Sequence, residues 1–199
     1  MLLTLLIPSL YSDFLMLRED TRSLCKAWFE EHVPDGTAVV LASRAYGPRL
    51  HPTAKQVLEK YGGLGDAAVD PARKKRLDLM NEALEGKKRF EVYTISPGLH
   101  LEERSFLFQR PFVPPDPLAI ESLGARYIVF QYSERTAFFE ALKEKLKPRL
   151  RNKVAFSPYW SEKKKVSLDP YDATSGPHLA RELFSRKRLG PFLEVYEII

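Results

Sequence analysis

The chain opens on a solid apolar run, Leu2 to Leu10 (LLTLLIPSL), and then settles into apolar rhythms of three-to-four residues and of two. From Thr21 to Val33 the residues Leu24, Cys25, Trp28, Phe29 and His32 recur at helical spacing, which predicts an amphipathic helix. Asp20 precedes it as an N-cap, because its carboxylate can accept the free amides of the first turn. Pro34-Asp35-Gly36 stops that helix, and Thr37 to Ala42 (TAVVLA) is a short, unbroken, β-branched run of the kind an interior strand shows. Thr53 to Tyr61 is expected to be helical, with Val57 and Leu58 as its apolar set, and Gly62, Gly63 and Gly65 break it. Pro71 opens a charged helix to about Glu85, with Leu77, Met80 and Leu84 inward and Gly86 closing it.

Phe90 to Ile95 predicts a second strand, and a further one is expected within Leu99 to Phe112. Asp116-Pro117 starts a short helix through Leu123, Gly124 ends it, and Ala125 to Tyr132 (ARYIVFQY) is a strongly apolar strand. Thr136 to Leu146 follows as a helix with Phe138, Phe139 and Leu142 on its inner face, then Lys153 to Phe156 as a strand. Trp160 to Gly176 is polar and turn-rich. Leu179 to Arg186 is expected as the last helix, and Phe192 to Ile198 as a final strand pairing with the one near Val154. Strands alternating with helices predict an α/β fold: layered helices on a mixed, partly parallel sheet of about five strands, preceded by an N-terminal apolar segment. The division is residues 1–17 for that segment and 18–199 for a single α/β domain.

The apolar start is about half the ~20 residues a spanning helix needs, and no basic stretch precedes it as a signal peptide would require. It fits the outer end of a transmembrane helix, an arm packed on the domain, or a weak signal sequence. Charge is uneven. Lys143 to Ile199 holds 13 Lys+Arg against 7 Asp+Glu, leaving 18 against 19 for the rest, so the net charge of +5 belongs to the C-terminal part. Such a bias suits an anionic partner, or simply a solvated basic face. Cys25 is the only cysteine, which excludes a disulfide framework and a thiolate metal cluster.

Little in the chain spells out chemistry. His32, His51, His100 and His178 lack the spacing of a zinc site, so no metal is expected. No nucleophile elbow, phosphate-cradling loop or dinucleotide fingerprint appears, so no cofactor is expected and no catalytic residue is assigned. Cys25 reads as core beside Trp28 and Phe29, where burial makes a thiol inert. Basic runs such as Arg73 to Arg76 and Lys163 to Lys165 lack a recognition element, so nucleic acid is not an expected partner. The loop after the first strand is the best candidate. Arg44, Tyr46, Arg49 and His51 follow a strand end, where open α/β sheets place their ligands, and arginine suits phosphate or carboxylate. The plain alternative is a polar loop around Gly47-Pro48.

One stretch carries a resemblance. Asp20-Thr21-Arg22, Trp28-Phe29-Glu30-Glu31 and Val33-Pro34-Asp35-Gly36 before a β-rich strand resemble the segment that follows the last transmembrane helix in bacterial integral-membrane glycosyltransferases of the dolichyl-phosphate-mannose–protein mannosyltransferase type. Leu123 to Val129 (LGARYIV) is similar to a strand of their C-terminal domains, and Gly190 to Tyr196 (GPFLEVY) to their terminal strand. Phe29 stands where the family usually has Ile, and the charged segment Asp66 to Arg89 is long. The resemblance implies a membrane-associated, extracytoplasmic (periplasmic) accessory domain, non-catalytic by itself. The enzyme it serves would transfer a sugar from a polyprenyl-phosphate carrier, with the catalytic carboxylate in the membrane-embedded portion. That portion is the implied partner, with anionic lipid or polyprenyl phosphate beside it, and acceptor or lipid phosphate is the expected contact of Arg44, Tyr46 and Arg49. The alternative reading is a free-standing soluble α/β enzyme or ligand-binding domain with its site at the strand C-terminal ends.

Overall fold

Among the described residues five strands meet in one open sheet: β1 (Ala38–Ala42), β2 (Glu91–Ile95), β3 (Tyr127–Tyr132), β4 (Leu150–Phe156) and β5 (Phe192–Ile198), in the order β2-β1-β3-β5-β4. A computed structural model of the chain describes residues 2–42, 47–61, 71–95, 113–132, 137–161 and 178–199. β1 runs parallel to β2 and β3, whereas β5 runs antiparallel to both β3 and β4. The helices are α1 (Leu2–Met16), α2 (Thr21–His32), α3 (Ala54–Tyr61), α4 (Pro71–Ala83), α5 (Pro117–Ser122), α6 (Ala137–Leu146) and α7 (His178–Ser185). The chain is therefore an α/β protein with a mixed, partly parallel sheet.

The sheet buries both faces at its centre. Val40, Ala42, Ile128 and Phe130 pack under Ile120 of α5 and Phe139, Leu142 and Leu146 of α6. Val39, Leu41, Val129 and Val195 pack on the other side under Cys25 and Phe29 of α2. Two covered faces explain why β1 and β3 are continuous apolar runs rather than alternating ones. Phe29 is fully buried, its ring edge-on to Phe90 and Tyr127 at 5.8 Å each, a burial that contributes about 2–3 kcal/mol.

α2 begins where Asp20 Oδ1 accepts from Arg22 N at 2.7 Å. It ends at Val33, ahead of Pro34 and of Gly36, whose φ of 75° turns the chain toward β1. Its inner stripe is Thr21, Cys25 and Phe29, while His32 is exposed instead of joining the apolar face. The start of α2 is moored to the segment that feeds β5. Leu189 O accepts from Thr21 N at 3.1 Å, and Pro191 O accepts from Thr21 Oγ1 at 2.7 Å. Gly190 sits between them at φ +98°, where a Cβ would run into Thr21 Oγ1 and lie 2.5 Å from Asp20 Oδ1.

Several expectations need adjustment. The N-terminal run continues as one helix to Met16, and its 15 residues span about 22 Å, short of the ~30 Å hydrocarbon layer. Among the described residues no helix is long and apolar enough to cross a membrane. β4 starts three residues earlier than expected, at Leu150, and carries a bulge between Asn152 and Val154. Val57 is buried, but Leu58 is 59 % exposed rather than part of an apolar set. β5 pairs with β4 as expected and with β3 as well. The strand expected within Leu99 to Phe112 lies outside the described residues.

The β2 edge is closed in an unusual way. Gln56 of α3 accepts from Val92 N at 2.9 Å and donates to Val92 O at 3.1 Å, as a neighbouring strand's peptide would.

Candidate functional site

Of the four loop residues predicted to form a site, Arg44 and Tyr46 lie outside the described residues. Arg49 is exposed, and His51 has already returned to the opposite end of the sheet from the β1 terminus. Its carbonyl accepts from Phe90 N at 2.8 Å, and Pro52 bridges Phe90, so this segment runs beside the start of β2. His51 Nε2 is buried, without a hydrogen bond, 3.7 Å from Glu30 Oε1. Burial, and after it the Lys26 charge, hold its pKa below the usual 6.5 although Glu30 pulls the other way. Arg49, two residues earlier, stays within ~7 Å of His51 along the chain. Neither residue gathers beyond the carboxyl ends of the parallel strands.

What does gather toward that end is a buried polar cluster. Tyr132 closes β3, and Glu194 and Tyr196 share its face from β5, because residues two apart on a strand point the same way. Glu194 Oε2 accepts from Tyr132 OH at 2.5 Å, from Tyr196 OH at 3.0 Å and from Lys143 Nζ of α6 at 2.6 Å. Lys143 also donates to Tyr132 OH at 2.6 Å. Burial would lower the ammonium's pKa, but the bonds to Glu194, Tyr132 and Tyr196 outweigh it and raise it. Burial, reinforced by Glu194, raises both phenols. The lysine stays charged and the tyrosines neutral across the physiological range, so these three groups are unsuited to proton exchange near neutrality. The arrangement clamps α6 to the sheet.

The third feature is a surface. α1 lies against α7, and its Tyr11 OH donates to Arg186 O at 2.6 Å and accepts from Trp160 Nε1 at 3.2 Å. Beneath it Arg186, 2 % exposed, pairs with Glu182 at 3.3 Å, whose Oε1 also accepts from Tyr159 OH at 2.7 Å. Outside, large apolar side chains stand bare, among them Leu10 (58 %), Leu17 (88 %) and Trp160 (58 %). The Arg18 guanidinium lies 4.4 Å from the Phe14 ring centroid and 5.8 Å from that of Trp160, and donates to Lys187 O at 3.3 Å.

Residue-type reasoning missed Glu194, though a signal existed: Phe192, Glu194, Tyr196 and Ile198 share one parity, which puts an acid on an apolar face. Among the described residues no group of three or more His, Cys, Asp or Glu could hold a metal ion. No family model, curated protein or solved structure matches the chain.

Proposed function

We propose that the chain is the membrane-proximal, extracytoplasmic accessory domain of a membrane glycosyltransferase, one that takes its sugar from a polyprenyl-phosphate carrier. What carries this reading is α1, an apolar helix with large exposed apolar side chains that ends at Met16 and passes through three residues into the Asp20 cap of α2. Such a helix is stable beside lipid or a partner helix and poorly matched to water. The three segments that carry the family resemblance also adjoin one another. Asp20 and Thr21 pack on Gly190 and Pro191, and Val129 pairs with Val195. In this reading the sugar transfer belongs to the membrane-embedded portion, and this domain braces it from the periplasmic side.

The test is genetic and biochemical. Upstream DNA is expected to encode several apolar segments of ~20 residues, in frame or in an adjacent reading frame. The chain is expected to copurify with that product from detergent extracts. An isolated reading frame with no such neighbour, and no membrane protein retained on the tagged chain, would leave the free-standing α/β protein as the reading.

A further inference from the structure

The surface where α1 meets the domain supports a more specific assignment, resting on the membrane-proximal reading above. Ile7, Leu10 and Phe14, continued by Leu17 just past the helix end, recur every three or four residues and make one exposed stripe along α1. Leu15, on the other side of the helix, is fully buried. At the foot of the stripe the rings of Tyr11, Phe14 and Phe184 touch, with centroids 5.7 and 5.0 Å from Tyr11, and Trp160 hangs from the Tyr11 hydroxyl. Arg18 lies against this collar and donates to the Lys187 carbonyl, and neither Arg18 nor Lys187 pairs with a carboxylate among the described residues. Asp13 and Glu19 are exposed acids of the same stretch as Arg18.

An indole with its N–H held and its ring bare, beside a guanidinium over an aromatic face, is the amphipathic chemistry of the headgroup layer. Unpaired cations at the same level match lipid phosphate. We infer that this collar seats the domain on an anionic phospholipid bilayer, with the α1 stripe in the acyl layer and Trp160, Arg18 and Lys187 among the headgroups. A second copy packed stripe to stripe in parallel would bring the Arg18 ends of both copies together, and an antiparallel pair is the competing occupant that the test separates.

The test uses the whole chain and vesicles of phosphatidylcholine with or without phosphatidylglycerol. Trp28→Phe leaves Trp160 as the only tryptophan. Its emission is expected to be quenched by lipids brominated near the headgroup and less by those brominated deep in the chain. Should that variant fail to fold, the difference between wild type and Trp160→Phe reads the same quantity. Arg18→Gln with Lys187→Gln is expected to weaken binding to anionic vesicles by about five-fold per charge, with little change on neutral ones. A chain that floats with vesicles while Trp160 escapes quenching overturns the collar and leaves the membrane-proximal reading intact. Failure to float overturns the collar outright, whereas the genetic linkage tests the parent reading on its own. A lipid-free dimer that shields Trp160 overturns it in favour of a second copy.

Discussion

Glu194 is a carboxylate in an apolar layer, and its position is tolerable because Lys143 and two phenols answer it. Breaking one member of a buried pair costs more than the pair is worth, since the other is left charged without a partner. Lys143→Met is therefore expected to lower the unfolding free energy by about 3 kcal/mol in urea titrations. Adding Glu194→Leu should return much of that loss; a double variant as unstable as the sum of both singles would contradict the clamp. His51 makes a pH prediction. Its folded pKa lies below the usual 6.5, so the unfolded chain takes up the proton first as pH falls. Stability should then decline on acidification from about pH 7 toward 5, and His51→Phe should flatten that part of the melting-temperature profile.

At the level of elements, Gly190 joins α2 to β5 where no side chain fits. Gly190→Ala should destabilise by about 2–4 kcal/mol, the strain of a left-handed backbone added to a clash with Thr21 and Asp20. Thermal melts would read this directly, and a near-neutral alanine would contradict the close approach. The buried strands were legible because two covered faces select long apolar runs, as in Val39 to Leu41 and Tyr127 to Phe130. β4 was legible only in its second half. Arg151, Asn152 and Lys153 are exposed edge residues, so packing leaves no pattern on them. Leu58 deceived for a related reason: a helix propensity pattern says nothing about how much sheet lies beneath it.

For the whole molecule, the α/β class was readable from alternation, but the place of β5 between β3 and β4 was not. That choice is made by long-range pairing, with Val195 opposite Val129 on one side and Val154 on the other. The same limit applies to the loop site. His51 follows β1 closely in sequence, yet the chain crosses back to the start of β2 before reaching it. Trp160, by contrast, donates to Tyr11 of α1 from far along the chain, and nothing local announces that.

The side-chain amide of Gln56 on Val92 has a consequence for life in a crowd. Exposed strand edges invite neighbouring copies to stitch their sheets together. Here one flank has the donor and acceptor of Val92 already occupied, and the other flank is interrupted by the β4 bulge and lined with Arg151 and Lys153. Among the described residues both flanks thus carry a device against edge-to-edge pairing, which favours close packing of copies in one plane without polymerisation through the sheet.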